Sequence, residues 1–192
     1  MNAMNMNAAI PELFRSYDTP EEPASQCLVW EAARATSATP GLFKPMEIGS
    51  RATRQRYIGG AFGHNNPTTL VVEEAKHLYP SRPVALVTSL GSGHPDMIQV
   101  TRSASPDTLK KIATDCERTH EDSARRFRVL PGTYFRFNVQ QGLQGLEPHQ
   151  WERSSEVVAH TDAYVKSVDT KAKLREAVKV LLRWSYSLCY SM

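Results

Sequence analysis

Three closely spaced glycines between Tyr57 and Pro67 constrain the fold of this chain more than any other feature. Segment 56–67 predicts a short strand that includes Ile58, a tight glycine turn, and then the start of a helix. Asn66 suits the N-cap, and Pro67 suits the first helical position, where a missing backbone N–H costs nothing. Glycine also permits positive φ and close approach of a backbone or ligand. We therefore expect a sharp turn at the carboxyl end of a strand, where α/β folds place their sites.

A buried strand is predicted over residues 84–90, which form a continuous apolar run with β-branched side chains. Such a run is typical of a strand that is covered on both faces, as in a parallel sheet. Helices are predicted over 31–38, from its alanine content, and over 67–79, from apolar residues spaced three and four apart. A short strand is expected at 26–30 and a polar loop at 46–54. The expected class is α/β.

The two ends of the chain are predicted to differ from this central segment. Residues 1–25 contain several prolines and acids after a polar start, so we expect a disordered start and a surface linker. Residues 101–192 are predicted to form a helical tail with one edge strand at 133–139, where aromatic and polar residues alternate. The helices of this tail are expected over 106–127, 148–167 and 169–190.

The composition excludes several functional classes. The net charge of +3 is too mild for a nucleic-acid surface, so we expect no nucleic-acid partner. Cys27, Cys116 and Cys189 lack metal-ligand spacing, and the histidines lack a paired spacing with an acid, so we expect no metal and no cofactor. Neither a signal peptide nor a bilayer-spanning stretch is recognised, which predicts a cytoplasmic protein.

The glycine turn resembles the aspartate motif of the patatin-like phospholipases, particularly of their fungal members. The matching residues are Gly60, Ala61, Gly63, Asn65, Asn66 and Pro67. Where the family has its catalytic aspartate, this chain has Gly59. Further segments that resemble the family are 30–40, 89–93, 134–139 and 141–144.

The resemblance implies a partial three-layer α/β/α fold with a mainly parallel sheet, followed by C-terminal helices. It assigns 26–100 to the C-terminal half of a patatin-like phospholipase domain, with the helical tail 101–192 packed on the same domain. The N-terminal half of the family's catalytic domain is expected to be missing from this chain. Three explanations stay open: a truncated gene model, a decaying gene copy, or a real non-catalytic subunit.

The activity implied by the resemblance is hydrolysis of acyl lipids by a serine–aspartate dyad. In that mechanism a serine in a Gly-x-Ser-x-Gly elbow attacks the ester carbonyl, and the aspartate assists removal of its proton. This chain has no such elbow and no glycine-rich oxyanion loop, and Gly59 has no side chain to accept a proton. We therefore predict no catalytic residue and no activity of the chain alone. Ser89 and Ser92 are the nearest nucleophile candidates, and Arg34 is the one side chain of its helix that could face a ligand, although an ion pair is the simpler expectation.

The expected partners follow from the same resemblance. It implies an acyl lipid or a membrane surface, with peripheral membrane attachment. Loss of the first strands would expose a sheet edge, so we expect self-association or a partner that completes the sheet. The alternative function is a non-catalytic remnant that binds lipid or protein. A nucleotide site at 91–93 is a weaker alternative, because the spacing of a phosphate-binding loop is absent.

Overall fold

The computed structural model describes residues 1–94, 106–147 and 149–189. The strands are, in chain order, β1 (Asn2–Asn5), β2 (Ile10–Leu13), β3 (Met46–Ile48), β4 (Gln55–Gly59), β5 (Val87–Leu90) and β6 (Tyr134–Phe137). The helices are α1 (Val29–Thr36), α2 (Ala61–His64), α3 (Thr68–Leu78), α4 (Pro106–Ala113), α5 (Glu117–Arg126), α6 (Ser154–Lys166) and α7 (Val168–Cys189), with a 3₁₀ turn at Trp151–Arg153.

The chain forms two compact units. The first comprises Met1–Pro67 with the described part of Ile98–Cys116, and the second comprises Thr68–Met97 with Glu117–Met192, again as far as these are described. The predicted α/β class is confirmed, because the chain contains both strands and helices and one of the two sheets is parallel.

The first unit is built on a four-stranded antiparallel sheet in the order β2-β1-β4-β3. Its central strand β1 places Ala3 opposite Glu12 of β2 and opposite Gly59 of β4. The expected parallel arrangement does not extend to this sheet, because parallel neighbours need a crossover of about a dozen residues or more. The connections 6–9 and 49–54 are shorter than that.

The predicted disordered start is wrong for residues 2–13, which form the β1–β2 hairpin. Proline in this segment favoured a loop, but Pro11 lies on the edge strand β2, where a missing N–H is tolerated. The prediction of a polar loop over 46–54 is wrong for its first three residues, because Met46–Ile48 form strand β3.

The inner face of this sheet packs on α1. The buried side chains that meet there are Ala3, Ala35, Ile48 and Tyr57, with Phe14, Cys27 and Met46 packed against them. The strand predicted at 26–30 is wrong, because α1 begins at Val29. The Leu28 N–H donates to the Glu31 carboxylate at 2.7 Å, which is half of a capping box and satisfies one donor at the start of the helix.

The second unit contains a parallel pair of strands, as expected for segment 84–90. β5 and β6 run in parallel with Val87 opposite Tyr134 and Leu90 opposite Phe137. Phe135, Phe137 and Ala177 form the core of this unit, with Leu86, Tyr164 and Leu174 packed against it. The two C-terminal helices are confirmed as α6 and α7, and the predicted helix 106–127 is divided into α4 and α5.

Candidate functional site

The candidate site is the glycine turn that follows β4. Gly59 is the last residue of the strand, and the short helix α2 follows at once. Gly63 adopts a φ of +81°, a conformation that favours glycine over other residues. α3 then begins at Thr68, directly after Pro67. The predicted order of strand, glycine turn and helix is confirmed, with α2 as an additional helical turn.

Gly59 is packed closely against the chain that leaves α1. Its N–H donates to the carbonyl oxygen of Ala38 at 2.9 Å. A Cβ atom at position 59 would lie 2.9 Å from the carbonyl oxygen of Thr36, closer than Cβ atoms approach other atoms in proteins. The position therefore lacks a side chain and also lacks the space for one.

Gly60 is approached from the other side by β1. A Cβ atom at position 60 would lie 2.6 Å from the amide nitrogen Nδ2 of Asn2. That nitrogen is buried and makes no hydrogen bond within the described chain. Local sequence patterns did not indicate this neighbour, because Asn2 lies in the segment that was predicted to be disordered. Because neither glycine has a side chain, the end of α1 and strand β1 can both pack against the end of β4.

The two motif asparagines hold the chain segment between α4 and α5. Asn65 donates from Nδ2 to the Thr114 carbonyl at 2.7 Å, and Asn66 donates from Nδ2 to the Cys116 carbonyl at 3.3 Å. Helical carbonyls are normally used by N–H groups four residues later. The helix predicted over 106–127 is interrupted at this segment, and the two side-chain donors hold the segment in place.

The nucleophile candidate Ser89 lies in the second unit and is only 6% exposed. Its hydroxyl accepts hydrogen bonds from Nη1 of Arg136 at 2.9 Å and from the hydroxyl of Thr68 at 3.0 Å. Arg136 is itself buried and lies 3.6 Å from a carboxylate oxygen of Glu117. A guanidinium cannot act as a base, because it stays protonated in proteins. This arrangement holds the Ser89 hydroxyl as part of a structural network.

Arg34 contacts the loop after α1. Its Nη2 donates to the carbonyl oxygen of Lys44 at 2.9 Å, and its guanidinium lies 5.4 Å from the ring centre of Phe43. The ion pair expected for Arg34 is not formed with any described residue. The backbone carbonyl and the aromatic face take the place of a carboxylate.

An apolar cavity of about 440 Å³ opens beside this loop. It is lined by Met6, Pro40, Gly41, Phe43, Pro45 and Ile58. Ile58 and Tyr57 are adjacent in β4, so their side chains lie on opposite faces of the sheet. The cavity is therefore on the outer face, away from the core that contains Tyr57.

Within the described ranges, no three histidine, cysteine or acidic side chains lie close enough together to hold a metal ion. The same ranges contain no helix with the length and apolar content required to cross a bilayer.

Comparison with known proteins gives the affiliation of the segment that contains the turn. The family model described as patatin-like phospholipase matches residues 2–72. Calcium-independent phospholipase A2-gamma of Rattus norvegicus is 33% identical over 117 residues, which are 59% of this chain and 15% of that protein. Phospholipase A I of Arabidopsis thaliana is 33% identical over 124 residues, 62% of this chain and 9% of that protein.

A third relative is named "Probable inactive patatin-like protein 9", from Arabidopsis thaliana. It is 33% identical over 110 residues, which are 53% of this chain and 27% of that protein. The chain thus spans less than a third of the length of each of these three relatives. The resemblance predicted from the glycine turn is confirmed at the level of the family, and the fungal type stays a prediction.

Proposed function

We propose, from the match of residues 2–72 to the patatin-like phospholipase model, that this chain is a family member that does not hydrolyse esters by itself. The observation on which this depends is the packing at Gly59. The chemistry of a serine–aspartate dyad needs a carboxylate at the end of this strand. Here the Thr36 carbonyl oxygen occupies the direction in which a side chain would leave the backbone.

The packing argues against a simple loss of one side chain. An aspartate at position 59 would place its carboxylate next to the carbonyl oxygens of Thr36 and Ala38, both of which repel negative charge. The end of α1 would have to move before the aspartate fits. The surroundings of Gly59 are therefore adapted to glycine.

Two further observations support the proposal. Ser89 accepts hydrogen bonds from Arg136 and Thr68, and the former cannot remove the serine proton. One matched relative is itself named a probable inactive patatin-like protein.

The test is hydrolysis of a short-chain nitrophenyl ester by the purified chain. We expect the rate to equal that of a heat-denatured sample. The variant Gly59→Asp is expected to gain no activity, because its carboxylate cannot reach a productive position. Turnover by the wild-type chain that scales with protein concentration and survives Ser89→Ala and Ser92→Ala would overturn the proposal.

A second candidate function is binding of acyl lipid without hydrolysis, and the apolar cavity on the outer sheet face favours it. Phe43 borders the cavity and is 57% exposed. The adjoining face is cationic, because Arg54 and Arg56 both pair with the single carboxylate of Glu47, at 3.3 and 3.5 Å. An apolar opening beside an excess of positive charge suits the surface of an anionic membrane. Each basic residue near such a surface contributes about 1 kcal/mol to the free energy of membrane binding.

Vesicle flotation tests this second candidate. We expect the chain to float with vesicles that contain phosphatidylserine and to remain at the bottom with vesicles of phosphatidylcholine alone. Phe43→Ser should reduce flotation at least threefold. Tyr79→Ser is a matched control, because Tyr79 is 53% exposed and its ring also lies beside an arginine, Arg82, at 5.3 Å. Equal flotation of both variants, or no flotation at all, would remove this candidate.

A further inference from the structure

A second cavity in the first unit, of about 350 Å³, differs from the apolar one in its chemistry. Among its lining residues are Glu12, Phe14, Glu22, Cys27 and Tyr57. Polar and apolar groups both contribute to its wall. Neither the family match nor the proposed absence of hydrolysis assigns any role to it.

Glu12 is an acidic residue on the core-facing side of the sheet. It lies directly opposite Ala3, which is fully buried, so the two residues share the inner face. The Glu12 carboxylate makes no hydrogen bond or ion pair with any described residue. Arg15, which also lines the cavity, donates to Glu22 at 2.7 Å. Burial first, and then the charge of Glu22, raise the pKa of Glu12, while Arg15 opposes this change.

Tyr57 contributes a second polar group without a partner. The residue is only 7% exposed, and its ring packs edge-on against Phe14 with 5.3 Å between the ring centres. The hydroxyl group forms no hydrogen bond within the part of the chain that the structure describes. Because Tyr57 lines the cavity, its hydroxyl is available to a molecule that binds there, and a hydrogen bond to it would stabilise the bound molecule.

We infer that this cavity binds the ammonium group of a small organic amine. An ammonium has three N–H donors, so it can donate to the Glu12 carboxylate and to the Tyr57 hydroxyl oxygen together. Its positive charge offsets the repulsion between Glu12 and Glu22. The aromatic walls formed by Phe14 and Tyr57 also attract cations.

Other ligand classes fit less well. An anion would be repelled by the Glu12 carboxylate, and the Arg15 guanidinium that could attract it is already paired with Glu22. A calcium ion takes six to eight oxygen ligands, and one unpaired carboxylate with one phenol is too few. An apolar ligand would leave both polar groups without a partner. The ammonium could belong to a free amine or to the headgroup of a lipid, and the chemistry at Glu12 is the same for both.

Isothermal titration calorimetry, in which ethanolamine is added to the full chain, tests the inference. Propan-1-ol is the control ligand, because it has the same shape without the charge. We expect saturable binding of ethanolamine only. Glu12→Gln keeps the shape of the side chain and should weaken binding at least tenfold, and Tyr57→Phe removes only the hydroxyl and should weaken it about threefold.

Glu21→Gln is the matched control variant, because Glu21 is exposed and does not line the cavity. It should bind within twofold of the wild type, and circular dichroism should show that all three variants are folded. Sedimentation with vesicles that contain phosphatidylethanolamine then separates the two sources of the ammonium. Glu12-dependent sedimentation indicates the lipid headgroup, and calorimetric binding without it indicates a free amine. Absence of saturable binding, or equal binding by Glu12→Gln, would overturn the inference.

Discussion

The N–H of Gly59 donates to the carbonyl oxygen of Ala38 at 2.9 Å, which fixes the end of β4 against the segment after α1. This bond brings the two backbones so close that position 59, where the resemblance places an aspartate, has no room for a Cβ atom. We therefore propose that the same contact stabilises the first unit and excludes a catalytic carboxylate from this position.

Side chains at position 59 should destabilise the protein. Gly59→Ala overpacks a close backbone contact, which costs about 1–3 kcal/mol, and Gly59→Asp adds the cost of a carboxylate beside carbonyl oxygens. Urea denaturation measures both. Gly41→Ala is the control, because a Cβ atom there meets nothing within 4 Å and its cost comes only from the positive φ. A Gly59→Ala variant as stable as the wild type would contradict the packing argument.

The two motif asparagines should differ in their contribution to stability. Each donates one hydrogen bond to a carbonyl of segment 114–116, but Asn66 is only 4% exposed, whereas Asn65 is exposed. Asn66→Ala removes a buried amide together with its hydrogen bond to the Cys116 carbonyl and should cost about 1–3 kcal/mol. Asn65→Ala should cost about 1 kcal/mol or less, because water replaces the amide. Chemical denaturation of the two variants, compared directly, checks the order.

Removal of Arg136 should destabilise the second unit strongly. Its side chain is buried between Ser89 and Glu117, and Glu117 also accepts a hydrogen bond from Asn138 at 3.0 Å. Arg136→Met breaks a buried charge pair, which costs about 3–5 kcal/mol. Arg125→Met breaks an exposed pair with Asp122 and should cost at most about 1 kcal/mol. Similar unfolding midpoints for the two variants would show that the buried network contributes little.

Stability of the second unit should fall below neutral pH because of His120. Burial lowers the pKa of this imidazole from its ordinary value of 6.5, with Glu117 opposing the change. The folded state therefore binds fewer protons than the unfolded state, so the stability from neutral His120 is present above pH 6.5 and is lost as the pH falls through the lower folded pKa.

Circular dichroism is used to measure the midpoint of thermal unfolding at a series of pH values from 7.5 to 5. His120→Gln should flatten this part of the profile, whereas His77→Gln, at an exposed position, should leave it unchanged. A wild-type midpoint that rises on acidification, with His120→Gln unchanged in profile, would contradict the assignment.

Some strands, helices and turns are determined mainly by residues close to them in the sequence, and these elements were predicted correctly. The apolar run 84–90 and the alternation at 133–139 indicated β5 and β6, although each strand is shorter than its pattern. The glycines before Pro67 indicated the turn, and apolar spacing indicated α3 and α7. The composition and spacing of nearby residues are enough for such elements.

The elements that were missed depend on contacts between distant residues. β1 has no β-branched residue, and it is a strand because Ala3 pairs with Gly59 and Glu12. The segment between α4 and α5 accepts hydrogen bonds from side chains at 65 and 66, about fifty positions earlier. In the same way, the cavity lined by Glu12 and Tyr57 is formed by residues of two different strands, β2 and β4. No window of local sequence contains such partners.

The position of β1 in the sheet has a consequence for the nascent chain. β2 follows it within a few residues, but β4, its other neighbour, is made only after residues 14–54. At a synthesis rate of about 5–20 residues per second, one edge of β1 waits for several seconds on the ribosome. During that interval an unpaired strand edge is open to other nascent chains, so a chaperone that covers the first hairpin should raise the yield of folded protein.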